Sequence, residues 1–297
     1  MTAALTSKAA AATSGKPPIW RRCLFGGLLL LLLFGIHRID SRLPVPWISL
    51  SLTILLGLLG AFEYHRLLGH RVRLWPGMLF IAVLLIGKAA ALVQGGDARV
   101  FAEAGLLGLF ICLLILEVLS GKPEEGPPRI GATLGGFCYF YLYSFLLDLL
   151  LRPEAPVGLQ LAFLLVLTAK STDIGGYLVG NWIGGRKLAP RVSPGKTWSG
   201  AVGGVLLSVL VAGFGGSLLA FDVGTLQWLL FGLLVGLLAL IGDLAESLLK
   251  RFAGQKDSAA LIPTFGGALD LLDSLVLAAP FGTWYLIWLR PGLATSG

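Results

Sequence analysis

Residues 226–251 read LQWLLFGLLVGLLALIGDLAESLLKR. From Leu226 to Gly242 no side chain is ionisable, and the run to residue 245 is long enough to cross a hydrocarbon core of about 30 Å as a helix. It then closes on Asp243, Glu246, Ser247, Lys250 and Arg251. A segment that is apolar on every face and ends in carboxylates reads as a membrane helix with chemistry at one end. Stretches of the same kind lie at 20–36, 45–62, 74–93, 99–119, 130–150, 156–177, 199–219 and 272–289. With 226–245 they make about nine transmembrane helices, an all-α polytopic integral membrane protein.

Composition agrees with that reading. Of 297 residues, 56% are apolar and 13% charged, whereas a water-soluble domain carries about a quarter charged residues. The mean hydropathy is +0.85. An ordinary soluble enzyme and a disordered chain are both excluded. Eight Trp and 41 Gly suit a multi-span protein, with aromatics such as Trp20, Trp47, Trp75 and Trp284 at the interface and glycines where helices approach. Cys23, Cys112 and Cys138 all lie in apolar runs without metal-ligand spacing, which argues against a disulfide framework or a zinc site. Arg21 and Arg22 precede the first apolar run as they would in a signal peptide. Ile36-His37-Arg38 offers no small-residue cleavage site, so the run reads as a retained anchor.

The basic residues set the orientation. One side carries Lys8, Lys16, Arg21, Arg22, Arg66, Arg71, Arg73, Lys122, Arg129, Arg186, Lys187, Arg191, Lys196, Lys250, Arg251 and Lys256. The other carries only Arg38, Arg42, Arg99, Arg152 and Arg290, while Lys88 and Lys170 fall inside spans. The net charge of +7 is therefore topology, not nucleic-acid binding. Positive-inside bias places the amino terminus in the cytoplasm, together with the polar loops 178–198 and 246–271. Residues 1–19 read as a disordered cytoplasmic tail, 20–129 as amino-terminal transmembrane helices and 130–297 as a carboxyl-terminal catalytic region, with the Pro-rich connection 121–129 at the join. No inverted repeat is visible, which weakens a transporter reading.

Three polar helix ends meet on the cytoplasmic side. They carry Asp173, then Asp243 with Glu246, then Asp270 with Asp273. Carboxylates in or beside spans are costly and so are functional candidates. Asp243, Ser247, Lys250 and Arg251 share one helical stripe, and Asp270 and Asp273 share another. Carboxylate, hydroxyl and cations on one stripe can hold a divalent ion and the phosphates it bridges. Glu246 and Lys250, at i and i+4, read instead as a salt bridge. Loop 184–200 interleaves Arg186, Lys187, Arg191, Ser193, Lys196 and Thr197 with flexible backbone, which suits polyphosphate but equally suits topology and anionic lipid. It lacks the strand–loop–helix spacing of a P-loop. Gly176, Gly180 and Gly184, like Gly200 and Gly204, recur every fourth residue and read as packing faces. His37, His65 and His70 read as interfacial, and Lys88 as snorkelling or paired to another span.

Ser247-x-x-Lys250-Arg251-x4-Lys256-Asp257-x5-Pro263-x2-Gly266-Gly267-x2-Asp270-x2-Asp273 resembles the signature of the phosphatidate cytidylyltransferases. Asp173-x-Gly-x-Tyr177, Arg186-Lys187-Leu-Ala-Pro190 and Ser193-Pro-x-Lys196-Thr197-Trp198 look like that family's other shared segment. The family usually has His where Phe265 stands, Arg where Leu271 stands and Glu near Ser199. The resemblance implies that the phosphate of phosphatidic acid attacks the α-phosphorus of CTP, giving CDP-diacylglycerol and pyrophosphate. It implies Mg²⁺, with room for a monovalent cation, held by Asp243 and Asp270, with Asp173 and Asp273 as further ligands or orienters. Lys250, Arg251 and Lys256 would hold phosphates. Ser193, Lys196 and Thr197 would close over the triphosphate with Arg186, Lys187 and Ser247 nearby, and Asp257 would orient Lys256 or a ligand water. Partners would be CTP, phosphatidic acid and the lipid bilayer, in a bacterial inner membrane, with no nucleic acid; a homodimer is admitted. Rival readings are a CTP-dependent enzyme of another lipid phosphate or of a lipid alcohol, a non-enzymatic lipid carrier, and an inactive relative.

Overall fold

The computed structural model describes residues 31–152, 157–219, 221, 223–255 and 267–289. Helix α1 covers 31–40, and the Asp40 carboxylate at its end accepts from the backbone N–H groups of Ile48 and Ser49 (3.2 and 2.7 Å), capping the next helix. That helix, α2, is Trp47–Leu68 and ends in a 3₁₀ turn, Gly69–Arg71. Helix α3 runs Leu74–Val93 with a π-turn over Val83–Gly87, and α4 is Arg99–Ser120. Helix α5, Gly126–Tyr143, starts with Pro127 and Pro128 in its first turn, where their missing N–H groups cost nothing. It continues almost unbroken into α6, Phe145–Leu150. Then come α7 (Val157–Ile183), a hairpin of β1 (Lys187–Ala189) and β2 (Ser193–Thr197), α8 (Trp198–Leu218), α9 (Thr225–Phe252) and α10 (Ala268–Leu289).

Among the described residues eight helices are long and apolar enough to cross a membrane. They coincide with the second to ninth expected spans. The first, 20–36, falls mostly outside the described residues, as does the tail 1–19, so a count of nine is not established. The protein is an integral membrane protein of all-α class, with one short hairpin among the described residues as its departure. The expected loops are shorter than the sequence suggested, because helix continues past the hydrocarbon. Helix α9, with 28 residues, is about 42 Å long, more than the core needs. Glu246 to Phe252 therefore stay helical, as do Ala268 to Leu271 at the start of α10.

Lipid-facing and packed faces separate clearly. On α8, Val202, Leu206, Leu210, Phe214 and Leu218 form an exposed stripe along the helix. Its opposite face lies against α7, where a Cβ on Gly204 would stand 2.5 Å from the Thr172 carbonyl oxygen. Only glycine permits that approach. Gly184 is not part of the packing face; its φ of 67° ends α7 and turns the chain into the hairpin. His65 is buried rather than interfacial, bonded through Nδ1 to the Ala61 carbonyl at 2.7 Å. Lys88 pairs across helices with Asp148 at 2.6 Å and with Ser144 at 3.1 Å.

Candidate active site

Helices α9 and α10 cross where α9 carries Gly242. A Cβ there would sit 2.3 Å from the Asp273 carbonyl oxygen, so the glycine lets the next residue, Asp243, come beside Asp273. One turn further along α9 stands Glu246. Asp243, Glu246 and Asp273 each present an oxygen, and the three lie within 4.8 Å of one another. Glu246 and Asp273 are buried, and Glu246 Oε1 has no hydrogen-bond partner among the described residues. Three carboxylates held this close, two of them buried, suit a hard divalent cation.

Lysines interleave with these carboxylates. Lys196, on β2, reaches Asp243 Oδ2 at 2.5 Å. Lys250 bridges Glu246 at 2.6 Å and Asp270 at 2.7 Å. Lys170, inside α7, stands 3.3 Å from Asp173 and 3.5 Å from Asp273. Three helices and the hairpin thus supply alternating charges to one polar end of the bundle. The Asp273 carboxylate is also fixed by the N–H of Ser274 at 2.5 Å.

Asp270 and Asp173 lie outside the three-carboxylate group. Asp270 accepts from Lys250 and from the Gly267 N–H at 2.7 Å, which caps the start of α10. Asp173 faces Lys170. Thr197 is buried as the N-cap of α8, accepting from the Gly200 N–H at 3.1 Å. Ser199 donates to the Gly184 carbonyl and so closes the base of the hairpin. Arg251 is exposed and donates from Nε to the Val192 carbonyl at 3.1 Å, tying the end of α9 to the hairpin turn. Arg186 and Lys187 are exposed, and Ser193 and Ser247 half-buried. Lys256, Asp257 and Phe265 lie outside the described residues. Leu271 sits on α10 between the two aspartates.

Four residues at this end were not given a role in the site from sequence, which marked Glu63 alone as a family-like acidic position at the end of its span. Glu246 read as a surface salt bridge, yet it makes its pair with Lys250 while fully buried beside two aspartates. Lys170 was one cation within a span, a signal that now has a reason. Glu63 of α2, also buried, accepts from the N–H groups of Ala268 (2.9 Å) and Leu269 (2.8 Å), holding the start of α10. Tyr139 of α5 has a buried hydroxyl without a hydrogen-bond partner among the described residues, within electrostatic reach of Asp273, Glu246 and Asp243.

A sequence profile described as the cytidylyltransferase family matches residues 20–289. The chain belongs to the cytidylyltransferase family. A Brucella suis biovar 1 relative named phosphatidate cytidylyltransferase is 38% identical over 73% of this chain and 72% of its own length. One so named from Bacillus subtilis is 28% identical over 86% of this chain and 93% of its own. The Escherichia coli K12 relative, "Uncharacterized protein YnbB", is 34% identical over 81% and 79%. The cytidylyltransferase match takes in α1 to α10 as well as the signature segments, so the amino-terminal helices belong to the family unit.

Proposed function

We propose that this protein transfers the CMP moiety of CTP to phosphatidic acid, giving CDP-diacylglycerol and pyrophosphate for phospholipid synthesis. The observation that carries the reading is the close group of Asp243, Glu246 and Asp273 interleaved with Lys196, Lys250 and Lys170 at one polar end of a lipid-facing bundle. Family membership and the names of the Brucella and Bacillus relatives support the same substrates. The excess of Lys and Arg on this side supports a cytoplasmic site, reached by CTP from the cytosol, in a bacterial inner membrane.

The residues fit Mg²⁺: three oxygens from Asp243, Glu246 and Asp273, one of them on a buried glutamate with an unused oxygen. Bound there, Mg²⁺ would neutralise charge on the nucleotide phosphates and polarise the α-phosphorus. The chain's own part is to bring two anions together. Lys196 and Lys250, which now lie on carboxylates, supply the cations that offset repulsion between lipid phosphate and triphosphate. Arg251 keeps the hairpin bearing Lys196 over the site. A phosphate monoester has its second pKa at about 6, so the lipid phosphate is largely its own dianionic nucleophile and needs no general base. Its oxygen forms the new bond to the α-phosphorus, and pyrophosphate leaves with the electron pair of the broken bond.

The experiment is an assay of the purified full chain in lipid with Mg²⁺, CTP and phosphatidic acid. Release of pyrophosphate with a CDP-linked lipid is expected, and Asp243→Asn should abolish it while the protein stays folded. CDP as the nucleotide product would instead indicate γ-phosphate transfer to a lipid alcohol, and turnover of Asp243→Asn near the parent rate would remove Asp243 from the site.

A further inference from the structure

The turn between α2 and α3 carries cations that the reaction site does not use. His70 and Arg73 from this turn, Ser120 at the end of α4, Lys122 from the α4–α5 connection and Arg129 from the start of α5 line an open cavity of about 330 Å³, completed by Val72. The arginines are held from behind. Glu117, buried one turn inside α4, receives Arg73 Nε at 2.5 Å and stands 3.8 Å from Arg129. Arg129 also pairs with Glu125 and donates from Nε to the His70 carbonyl at 2.8 Å. Lys122, its side chain 61% exposed, is 3.7 Å from Glu125. Three permanent cations thus meet two carboxylates, which leaves a single positive charge at the cavity. Glu124, on the same connection, is exposed and does not line it.

The cavity opens at the polar end of the bundle that holds the reaction site. Arg71, in the same turn, donates to the Phe252 carbonyl at 2.7 Å and lies 4.5 Å over the Phe252 ring, at the very end of α9. Round the helix from Glu117 and Ser120, α4 exposes an apolar face: Val118 is 78% and Leu119 77% exposed, with Leu114 and Ile115 a turn deeper. A fixed pair of guanidinium groups at the mouth, at the polar end of helices whose outer faces are apolar, suits a molecule with a phosphate at one end and acyl chains at the other.

We propose that this cavity binds the phosphate of an anionic glycerophospholipid whose headgroup carries one negative charge, on the same membrane face as the reaction site but outside it. The single residual charge matches a phosphodiester, and the acyl chains lie in the surrounding bilayer.

Native mass spectrometry of the detergent-solubilised full chain tests this with phosphatidylglycerol, phosphatidylcholine and inorganic phosphate as probes. Phosphatidylglycerol binding should weaken about 5-fold in Lys122→Ala and about 25-fold in Lys122→Glu, at roughly one surface charge per step. Phosphatidylcholine binding should not change. Lys122 is exposed and its ion pair is to the half-exposed Glu125, so these variants should keep the parent's thermal stability. Arg66→Glu, which alters an exposed α2 cation outside the cavity, should leave phosphatidylglycerol binding unchanged. Equal phosphatidylglycerol affinity in parent and Lys122→Glu, or an equal loss in Arg66→Glu, would overturn the site. Displacement of the lipid by millimolar inorganic phosphate would assign the cavity to the free ion and overturn the lipid assignment.

Discussion

Glu63 and Ala268 stand at opposite ends of the sequence, yet the Glu63 carboxylate receives the Ala268 N–H at 2.9 Å and the neighbouring Leu269 N–H at 2.8 Å. A buried carboxylate from α2 thereby caps the helix that carries Asp270 and Asp273. The first N–H groups of a helix have no partner within it, and its positive end favours an anion, so the bond fixes the position of α10. The amino-terminal helices are in this way part of the candidate site's support.

Glu63→Ala leaves two buried N–H groups unpaired and should destabilise the protein by about 2 kcal/mol. Glu63→Gln keeps an acceptor but loses the charge, and should fall between. Thermal unfolding in detergent measures the stability, and CMP transfer the activity. We expect activity to fall further than the stability loss explains, because Asp273 moves with the helix end.

Asp243→Asn, Asp273→Asn and Glu246→Gln should each lower turnover by at least about 100-fold, since even residues behind a metal ligand cost 10–100-fold. Asp173→Asn, whose carboxylate pairs with Lys170 and lies outside the three-carboxylate group, should cost less. Mn²⁺ titration followed by electron paramagnetic resonance separates lost ion binding from lost chemistry. Equal Mn²⁺ affinity in parent and Glu246→Gln would take Glu246 out of the ligand set.

Lys170→Met strands Asp173 and Asp273 without their cation and should destabilise by about 3 kcal/mol. Adding Asp173→Asn removes one of the stranded charges and should recover part of that loss. A double-mutant cycle on unfolding reads the coupling directly. Additive effects would show that Lys170 acts elsewhere.

Gly242→Ala favours the helix by about 1 kcal/mol in propensity, yet its methyl would meet the Asp273 carbonyl at 2.3 Å. The helices must part, and overpacking of this kind costs about 1–3 kcal/mol. Activity should drop with it, since Asp243 and Asp273 are drawn apart. An active and more stable Gly242→Ala protein would contradict the crossing described for α9 and α10.

Tyr139→Phe removes a hydroxyl that has no hydrogen-bond partner among the described residues, so stability should hold or rise slightly. A role at the site would appear as a lower kcat with the KM for CTP unchanged. Unaltered kcat would leave Tyr139 as packing alone.

The spans were legible because burial in hydrocarbon is a property of each local stretch and adds along it. Eight helices accordingly match the hydropathy reading, and the signature residues from Asp173 to Asp273 carried the family. Local periodicity also placed Asp243 and Asp273 on helix ends, and it read the four-residue glycine spacing around Gly200 and Gly204 as packing. What the chain order could not supply was distance between helices. Whether Asp243 shares its space with Glu246 and Asp273 or with Asp173 and Asp270 depends on the crossing at Gly242, which is a matter of ångströms between residues far apart in sequence. Burial of Glu246, the reach of Lys170 to two aspartates and the cap from Glu63 were decided at the same level. Charges separated by tens of residues attract only once packing has brought them together and excluded the water that would otherwise screen them.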